Sequence, residues 1–166
     1  MLASKTSEPV LQDVVVDTNV FVHAENEHAA DCEPSRRLIS RLRAATTSLC
    51  FDEGFDLDEA RNRSLIAGEY LEHLPAGALA LALIEECAAA GRIRLLPLSI
   101  RNRRVRDAID ELVTDPTDRK FVRVARKAAE RLLVTHDDQH LHSVATELAD
   151  RVGVQLEDAH GCCARI

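Results

Sequence analysis

The chain has 166 residues, a length that indicates one domain. Hydrophobic residues make up 46% of the chain and charged residues 30%, a balance typical of a globular protein rather than a disordered one. The 28 acidic residues exceed the 21 basic residues, which gives a formal net charge of -7. This excess excludes a uniformly basic nucleic-acid-binding protein. It leaves a localised site open, because net charge does not say where the charges lie.

The predicted elements alternate between strands and helices along the chain. Short β-branched or aliphatic runs predict five strands, at Val14–Val16, Ser48–Phe51, Ile93–Leu96, Leu132–Val134 and Val154–Leu156. Helices are predicted from Asp31 onward, over 56–73, 76–90 and 101–113, from Thr117 or Asp118, and over 138–151. Such alternation is typical of an α/β domain with a parallel sheet. We therefore expect one domain over residues 11–166, with four to five parallel strands flanked by helices, after a flexible tail at 1–10.

The cysteines and the apolar stretches predict a cytoplasmic protein. The five cysteines are odd in number and form no C-x-x-C motif, so we expect free thiols in a reducing compartment. Residues 1–10 lack the apolar stretch of a signal peptide. The longest apolar run, residues 76–84, is far shorter than the roughly 20 residues that span a membrane. We expect no membrane partner. The Ala/Leu-rich segment 76–90 predicts core packing, or otherwise a homodimer surface.

Two of the predicted strands end in acidic residues. Asp17 follows the Val14–Val16 strand, and Asp137 follows the Leu132–Val134 strand after two intervening residues. Ligands of open parallel sheets bind beyond the carboxyl ends of the strands, so these two carboxylates could lie close together. Close carboxylates repel each other, and a divalent cation removes that repulsion. Oxygen ligands alone suit Mg²⁺ or Mn²⁺, whereas a single Asp after a strand is more often only a helix cap or a loop residue.

Three segments, in order, resemble the motifs of the PIN-domain nucleases. Residues 15–21 resemble the opening motif, in which the first strand ends in Asp-x-Asn, here Asp17-Thr18-Asn19. Residues 118–125 resemble the third acidic motif, an Asp at a helix start before an apolar face. Residues 133–138 resemble the fourth, a strand followed by Thr and Asp. The resemblance covers about residues 12–157 and implies the PIN-like α/β/α fold.

The second acidic position of that family is matched less cleanly. It is a Glu near the start of a helix after the second strand, and residues 51–59 offer five acids. Leu57-Asp58-Glu59-Ala60 resembles the family's pattern of an apolar residue followed two positions later by Glu, so Glu59 is our choice. Asp56 and Glu69 are the reserves.

The resemblance implies a metal-dependent ribonuclease that hydrolyses RNA phosphodiester bonds. Its catalytic and metal-binding residues would be Asp17, Glu59, Asp118 and Asp137, which would hold one or two Mg²⁺ or Mn²⁺ ions. Asn19 and Thr135 would orient these carboxylates by hydrogen bonding, or else only stabilise a turn and a strand end. The family includes many toxins of toxin–antitoxin pairs. An inhibitory antitoxin protein is therefore an implied partner besides the RNA substrate.

Two further groups of residues invite a functional interpretation. His136, His140 and His142 form an H-x₃-H-x-H pattern, in which His136 and His140 could share a helical face and bind zinc. No cysteine or second histidine cluster completes the set, so we expect polar residues beside the acidic site. Several arginines are candidates for RNA contact or for a solvated helix face. They are Arg92, Arg94, Arg101, Arg103, Arg104 and Arg106, of which the last four are the predicted RNA-binding residues.

Two other functions compete with the nuclease. A phosphatase of the HAD type also places acids at strand ends, but it needs a second Asp two residues after the first, where this chain has Asn19. A non-catalytic PIN-like module that binds RNA or protein is the main alternative, supported by the unclear second acid. Neither the P-loop motif nor the dinucleotide-binding motif occurs.

Overall fold

The computed structural model describes residues 10–166, so the predicted N-terminal tail lies, except for residue 10, outside the described residues. Five strands are present: β1 (Asp13–Val16), β2 (Ser48–Asp52), β3 (Ile93–Leu96), β4 (Leu132–Val134) and β5 (Gln155–Glu157). The α-helices in this part of the chain are α1 (Thr18–Glu25), α2 (Cys32–Ala44), α3 (Leu65–His73), α4 (Leu79–Ala89), α5 (Arg103–Leu112), α6 (Arg119–Lys127), α7 (Ala145–Glu147) and α8 (Ala159–Cys163). All five predicted strands are confirmed.

The strands form one parallel sheet in the order β3-β2-β1-β4-β5. The chain moves outward from β1 to β3 on one side and then crosses back to β4 and β5 on the other. The order therefore reverses between β1 and β4, which pair Val15 with Leu133 and Val16 with Val134. In such sheets the crevice beyond the carboxyl ends of these two strands is the usual ligand site. The predicted fold class, a single α/β domain with helices flanking a parallel sheet, is confirmed.

The two central strands are buried along their whole length. Val14–Val16 of β1 and Leu132–Val134 of β4 are each at most 2% exposed. Because helices flank the sheet, these runs are continuous rather than alternating with polar residues. Phe121 of α6 and Phe21 of α1 are fully buried in the same core. This core fixes the positions of the residues that follow β1 and β4.

The helix predicted over 56–73 is only half present, since α3 begins at Leu65. The acidic stretch before it forms turns, in which Asp56 accepts a hydrogen bond from Asp58 N and Asp58 accepts one from Ala60 N (2.8 and 3.0 Å). Asp side chains favour such local turns over helix interiors. Ser64 caps α3 instead, accepting from Ala67 N at 3.1 Å.

The helix predicted over 138–151 is also shorter and irregular. A 3₁₀ turn at His142–Val144, the short α7 and a π-helical turn at Leu148–Val152 replace it. Residues 136–141 instead form turns around Asp137, whose carboxylate accepts from His140 N at 3.0 Å. Helices α1 and α8 were not predicted from the sequence.

Arg92, directly before β3, and Arg94, within it, hold the sheet at the end remote from that crevice. Arg94 pairs with the fully buried Asp13, which also accepts from the backbone N–H groups of Ala129 and Glu130, both at 3.0 Å. Arg92 donates to the carbonyl oxygens of Leu42 and Thr47 (3.0 and 2.9 Å). These two arginines therefore have structural partners rather than being free for a ligand.

The five cysteines are free thiols, as expected. Across residues 10–166, no helix combines the length and the apolar character needed to cross a lipid bilayer.

Candidate functional site

Four acidic side chains line one open cleft at the carboxyl edge of the sheet. Asp17 follows β1, Asp137 lies just beyond β4, Asp118 precedes α6, and Glu69 lies on α3. The cleft has a volume of about 300 Å³, and Asn19, His23 and His73 also line it. The carboxylates come from four distant parts of the sequence. They meet where the strand order reverses, as expected for a ligand site in a parallel sheet.

Asp17 is the most enclosed of these acids and is held by two polar side chains. It is 5% exposed, and its Oδ2 accepts hydrogen bonds from Thr135 Oγ1 at 2.7 Å and Asn19 Nδ2 at 2.9 Å. Asn19 in turn accepts from the backbone N–H of His136 at 3.1 Å. The Asp-x-Asn segment therefore ties the end of β1 to the end of β4.

Thr135 also supports the second strand-end acid. Its Oγ1 accepts from the backbone N–H of Asp137 at 3.1 Å, while the hydroxyl proton goes to Asp17. His142 closes this turn, since its ring Nε2 lies 2.9 Å from the carbonyl oxygen of Thr135. One hydroxyl thus links both strand-end carboxylates.

Glu69 is fixed in the cleft by an ion pair and a hydrogen bond. Its carboxylate accepts from Thr18 Oγ1 at 2.6 Å and pairs with the ammonium group of Lys120. Lys120 is only 10% exposed and also donates to the carbonyl oxygen of Thr117 at 2.5 Å. Next to Glu69, the buried Tyr70 hydroxyl donates to the carbonyl oxygen of Val16 and anchors α3 to β1.

Burial and mutual repulsion raise the proton affinity of two of the acids. The pKa of Asp17 rises to about 6, chiefly through burial and also through the charges of Glu69 and Asp137, while the Thr135 hydrogen bond opposes the rise. The pKa of Asp118 also rises to about 6, again chiefly through burial and then through Asp17. A positive charge in the cleft would relieve this repulsion.

The choice of Glu59 for the fourth acid does not fit the cleft. Glu59 is exposed in the turns before α3 and is not among the residues that line the cleft. The reserve Glu69 lines it, whereas the other reserve, Asp56, faces an apolar pocket with Phe55. Glu69 takes this position because α3 begins at Leu65, later than predicted. Glu69 therefore lies on the first turns of the helix, and Glu59 lies before it.

The donor set fits a hydrated divalent cation. The four acids offer only oxygen atoms, which suit Mg²⁺ or Mn²⁺. Within residues 10–166, no three of these carboxylates place their oxygens within 4.8 Å of one another. Mg²⁺ commonly keeps several waters and binds one or two carboxylates, so this spacing is compatible with it.

The predicted RNA-binding arginines lie away from this cleft. Arg101 shares a small cavity with Arg126 and Lys127, at the carboxyl end of α6, whereas Asp118 precedes the other end of that helix. Nine residues of helix correspond to roughly 13 Å. Arg103 and Arg106 both lie near Asp107, at 3.4 and 3.9 Å, and Arg104 is exposed on the same first turn of α5.

A larger open groove continues from the acidic cleft. It has a volume of about 820 Å³ and shares Glu69 and His73 with the cleft. Arg63 and Lys120 supply positive charge along it. Glu69 and Glu72 lie along the same groove, so its positive and negative side chains balance. The groove is therefore a polar surface next to the cleft, nearer to it than the arginine-rich segment, and no sequence motif indicated it.

Of the three histidines that follow β4, two are polar residues beside the acidic site, as predicted, and the third belongs to a separate cluster. His140 is exposed and His142 bonds to the backbone, as polar residues beside the acidic site would. His136 instead meets His23 and Asp31, and its ring stacks on that of His23 with centroids 5.3 Å apart. Burial lowers the pKa of His136, and the nearby Asp31 opposes this. No local sequence pattern indicates His23, because it lies more than 100 residues before His136 in the chain.

Comparisons with known proteins give little further information. No family model matches the chain, and no curated protein matches it. Among solved structures, the chain is similar to VapBC2 from Rickettsia felis bound to a DNA fragment from their promoter. That similarity has a TM-score of 0.43 at 13% sequence identity and covers 89% of this chain and 98% of the other.

Proposed function

We propose that this protein is a Mg²⁺- or Mn²⁺-dependent nuclease that hydrolyses RNA phosphodiester bonds. The observation that carries the proposal is the convergence of Asp17, Glu69, Asp118 and Asp137 in one cleft at the strand-order reversal. The motif resemblance at Asp17, Asp118 and Asp137 supports the same reaction class. Glu69 takes the place that the sequence assigned to Glu59.

The four carboxylates would hold the cation, and the cation would activate water and offset the charge that develops at phosphorus. Thr135 and Asn19 hold Asp17 in one orientation through their hydrogen bonds. Lys120 pairs with Glu69 and holds its carboxylate in the cleft. The side chains that bind the cation are therefore oriented before it arrives, which limits the reorganisation needed during the reaction.

The groove beside the cleft supports a polymeric substrate. Arg63 lies along it, and phosphate backbones bind through such positive charges, whereas Lys120 is already paired with Glu69. With Arg101, Arg103, Arg104 and Arg106 lying away from the cleft, we assign first contact with the scissile region to the groove. Those four arginines stay a prediction for more remote RNA contact.

The proposal is tested by cleavage of single-stranded RNA and of a DNA strand of the same sequence by the full chain. Metal is first removed with a chelator, and then Mg²⁺ or Mn²⁺ is restored. We expect RNA cleavage only with metal. Asp17→Asn and Asp118→Asn should lower the rate at least about 100-fold, since metal catalysis supplies several kcal/mol of transition-state stabilisation. Asp138→Asn is the matched control, because Asp138 is exposed and does not line the cleft.

Four outcomes would contradict the proposal in whole or in part. Cleavage that persists at full rate in folded Asp17→Asn would place the activity elsewhere or in a contaminant. Binding of Mn²⁺ by calorimetry without any cleavage, or no binding at millimolar Mn²⁺, would favour the non-catalytic PIN-like module. Preferential cleavage of the DNA strand would leave the reaction class standing but overturn the substrate.

An inhibitory antitoxin stays a prediction from the motif resemblance alone. It would be tested by expressing the chain with and without Asp17→Asn and comparing growth. Growth arrest that requires Asp17 would support a toxin, whereas normal growth with an active enzyme would contradict it. A homodimer, the alternative to core packing for residues 76–90, likewise stays a prediction and is checked by the mass of the chain in solution.

A further inference from the structure

Two imidazoles and one carboxylate meet on the flank of the acidic cleft. His23 lies on α1, Asp31 directly precedes α2, and His136 follows β4. Nδ1 of His23 and Nδ1 of His136 lie 3.7 and 3.8 Å from the same oxygen, Oδ2 of Asp31. One donor atom from each residue lies within 4.8 Å of the other two, the one set of three among residues 10–166 with such spacing.

These spacings are close to those of a zinc site. Bonds of about 2.0–2.1 Å at tetrahedral angles put neighbouring ligand atoms about 3.3–3.4 Å apart. The two Nδ1–Oδ2 distances exceed this by only a few tenths of an ångström. A small rotation of Asp31, which is 43% exposed, would close the gap. A rotation of the His23 ring out of its stacking with His136 would let both Nδ1 lone pairs converge on one ion.

The hydrogen bonds of the two histidines leave both Nδ1 atoms available as metal ligands. Within the described part of the chain, Nδ1 of His23 is buried and has no hydrogen-bond partner. His136 is 3% exposed, and its Nε2 lies 2.9 Å from the hydroxyl of Ser35. When Nε2 carries the proton and donates to that hydroxyl, Nδ1 presents its lone pair toward Asp31. Such a polar partner behind the ring is the usual arrangement for a metal-binding histidine.

Asp31 is also free to serve as a ligand. It occupies the N-cap position of α2, yet its side chain makes no capping hydrogen bond to that helix. Its position at the protein surface gives an ion a route to the buried nitrogen atoms. Two nitrogen donors and one carboxylate favour Zn²⁺ over Mg²⁺, which prefers oxygen ligands.

We propose that His23, Asp31 and His136 bind a Zn²⁺ ion, with water in the fourth position. The site is distinct from the carboxylate cleft, and it does not depend on the proposed nuclease activity. It ties α1, the start of α2 and the end of β4 together. Because His23 also lines the cleft, a bound ion would fix one cleft wall.

The test is a Zn²⁺ titration of the full chain by calorimetry, with millimolar Mg²⁺ present to occupy oxygen-only sites. Co²⁺ then serves as a spectroscopic substitute, since its visible absorption reports four-coordinate geometry. We expect one equivalent of Zn²⁺ to bind. A hundredfold excess over the dissociation constant should raise the melting temperature by about 5–10 °C.

Variants separate this site from adventitious binding by cysteines or surface histidines. His23→Gln and Asp31→Asn replace accessible ligands and should weaken Zn²⁺ binding at least about tenfold. Ser35→Ala should weaken it about 10- to 100-fold by releasing the His136 ring. His140→Gln, a nearby exposed histidine outside the set, should bind Zn²⁺ like the wild type.

No Zn²⁺ binding at micromolar metal would overturn the proposal. So would binding that His23→Gln and Asp31→Asn leave unchanged, because the ion would then sit elsewhere. Asp17→Asn should retain Zn²⁺ binding, so a failed nuclease assay and a failed zinc titration are independent results.

Discussion

Replacing Asp17 with Asn should make the folded protein more stable while removing the proposed nuclease activity. Asp17 is 5% exposed and lies among Glu69, Asp118 and Asp137 in the cleft. Burial, and then the charges of Glu69 and Asp137, raise its pKa from 3.8 to about 6, so its ionised form is destabilised in the folded state. Asn keeps the size of the side chain and removes the charge. Functional sites often carry this kind of stability cost.

The magnitude and its pH dependence follow from that pKa. A rise of about two pKa units is worth about 3 kcal/mol, at roughly 1.4 kcal/mol per unit. The folded state binds the Asp17 proton more tightly than the unfolded state, so the wild type loses stability as pH rises from about 4 to about 6. The Asn variant does not titrate and escapes that loss. Weaker hydrogen bonds from Thr135 and Asn19 offset about 1 kcal/mol of the gain.

The expected net gain above pH 6 is therefore about 2 kcal/mol, or a melting temperature about 4–8 °C higher, in metal-free buffer. The assay is thermal unfolding of the wild type and Asp17→Asn from pH 4 to 8, with Asp138→Asn as the exposed control. The gain should grow between pH 4 and 6 and turn into a loss of about 1 kcal/mol below pH 4, where only the weaker hydrogen bonds of Asn remain. An equal or lower melting temperature at pH 7.5, or a gain independent of pH, would refute the argument that the ionised Asp17 carboxylate destabilises the folded state.

Three further changes test the cleft and its supports. Glu69→Gln should lower RNA cleavage at least about tenfold while Glu59→Gln leaves it unchanged, and the opposite result would restore Glu59 as the fourth acid. Thr135→Val removes the hydrogen bond to Asp17 and should lower cleavage about 10- to 100-fold with the fold intact, as checked by circular dichroism. Asp52→Asn should lower the free energy of unfolding by about 1–3 kcal/mol in urea, because its carboxylate accepts from the first two backbone N–H groups of α3; an unchanged midpoint would contradict this anchoring role.

The sequence predicts the sheet well because the strands carry a strong local signal. Val14–Val16 and Leu132–Val134 are uninterrupted β-branched or aliphatic runs, and each ends at a polar residue. Runs of this kind indicate strands that are buried on both faces. The parallel arrangement then brings Asp17 and Asp137 to the same edge. Local pattern and topology are sufficient for this half of the cleft.

The other half of the cleft depends on where α3 begins, and the local signal there misleads. Asp56, Asp58 and Glu59 resemble the acidic first turn of a helix, but two of them close turns with the backbone instead. Gly54, at φ +90, lets the chain fold back so that Arg63 N donates to its carbonyl oxygen at 2.7 Å. Asp52, buried at the end of β2, then receives the start of α3. These tertiary contacts delay the helix and bring Glu69 to the cleft.

The end of β4 supplies residues to both proposed metal sites, and alternation along the chain explains how. Successive residues of an extended segment point to opposite sides. His136 accordingly turns toward α2 and Ser35, whereas Asp137 turns toward Asp17 in the cleft. The imidazole of His136 and the carboxylate of Asp137 therefore face different sites. We expect the first site to select Zn²⁺ and the cleft to select Mg²⁺ or Mn²⁺. The four acids of the cleft, when no cation is bound, also account for more than half of the formal net charge of -7.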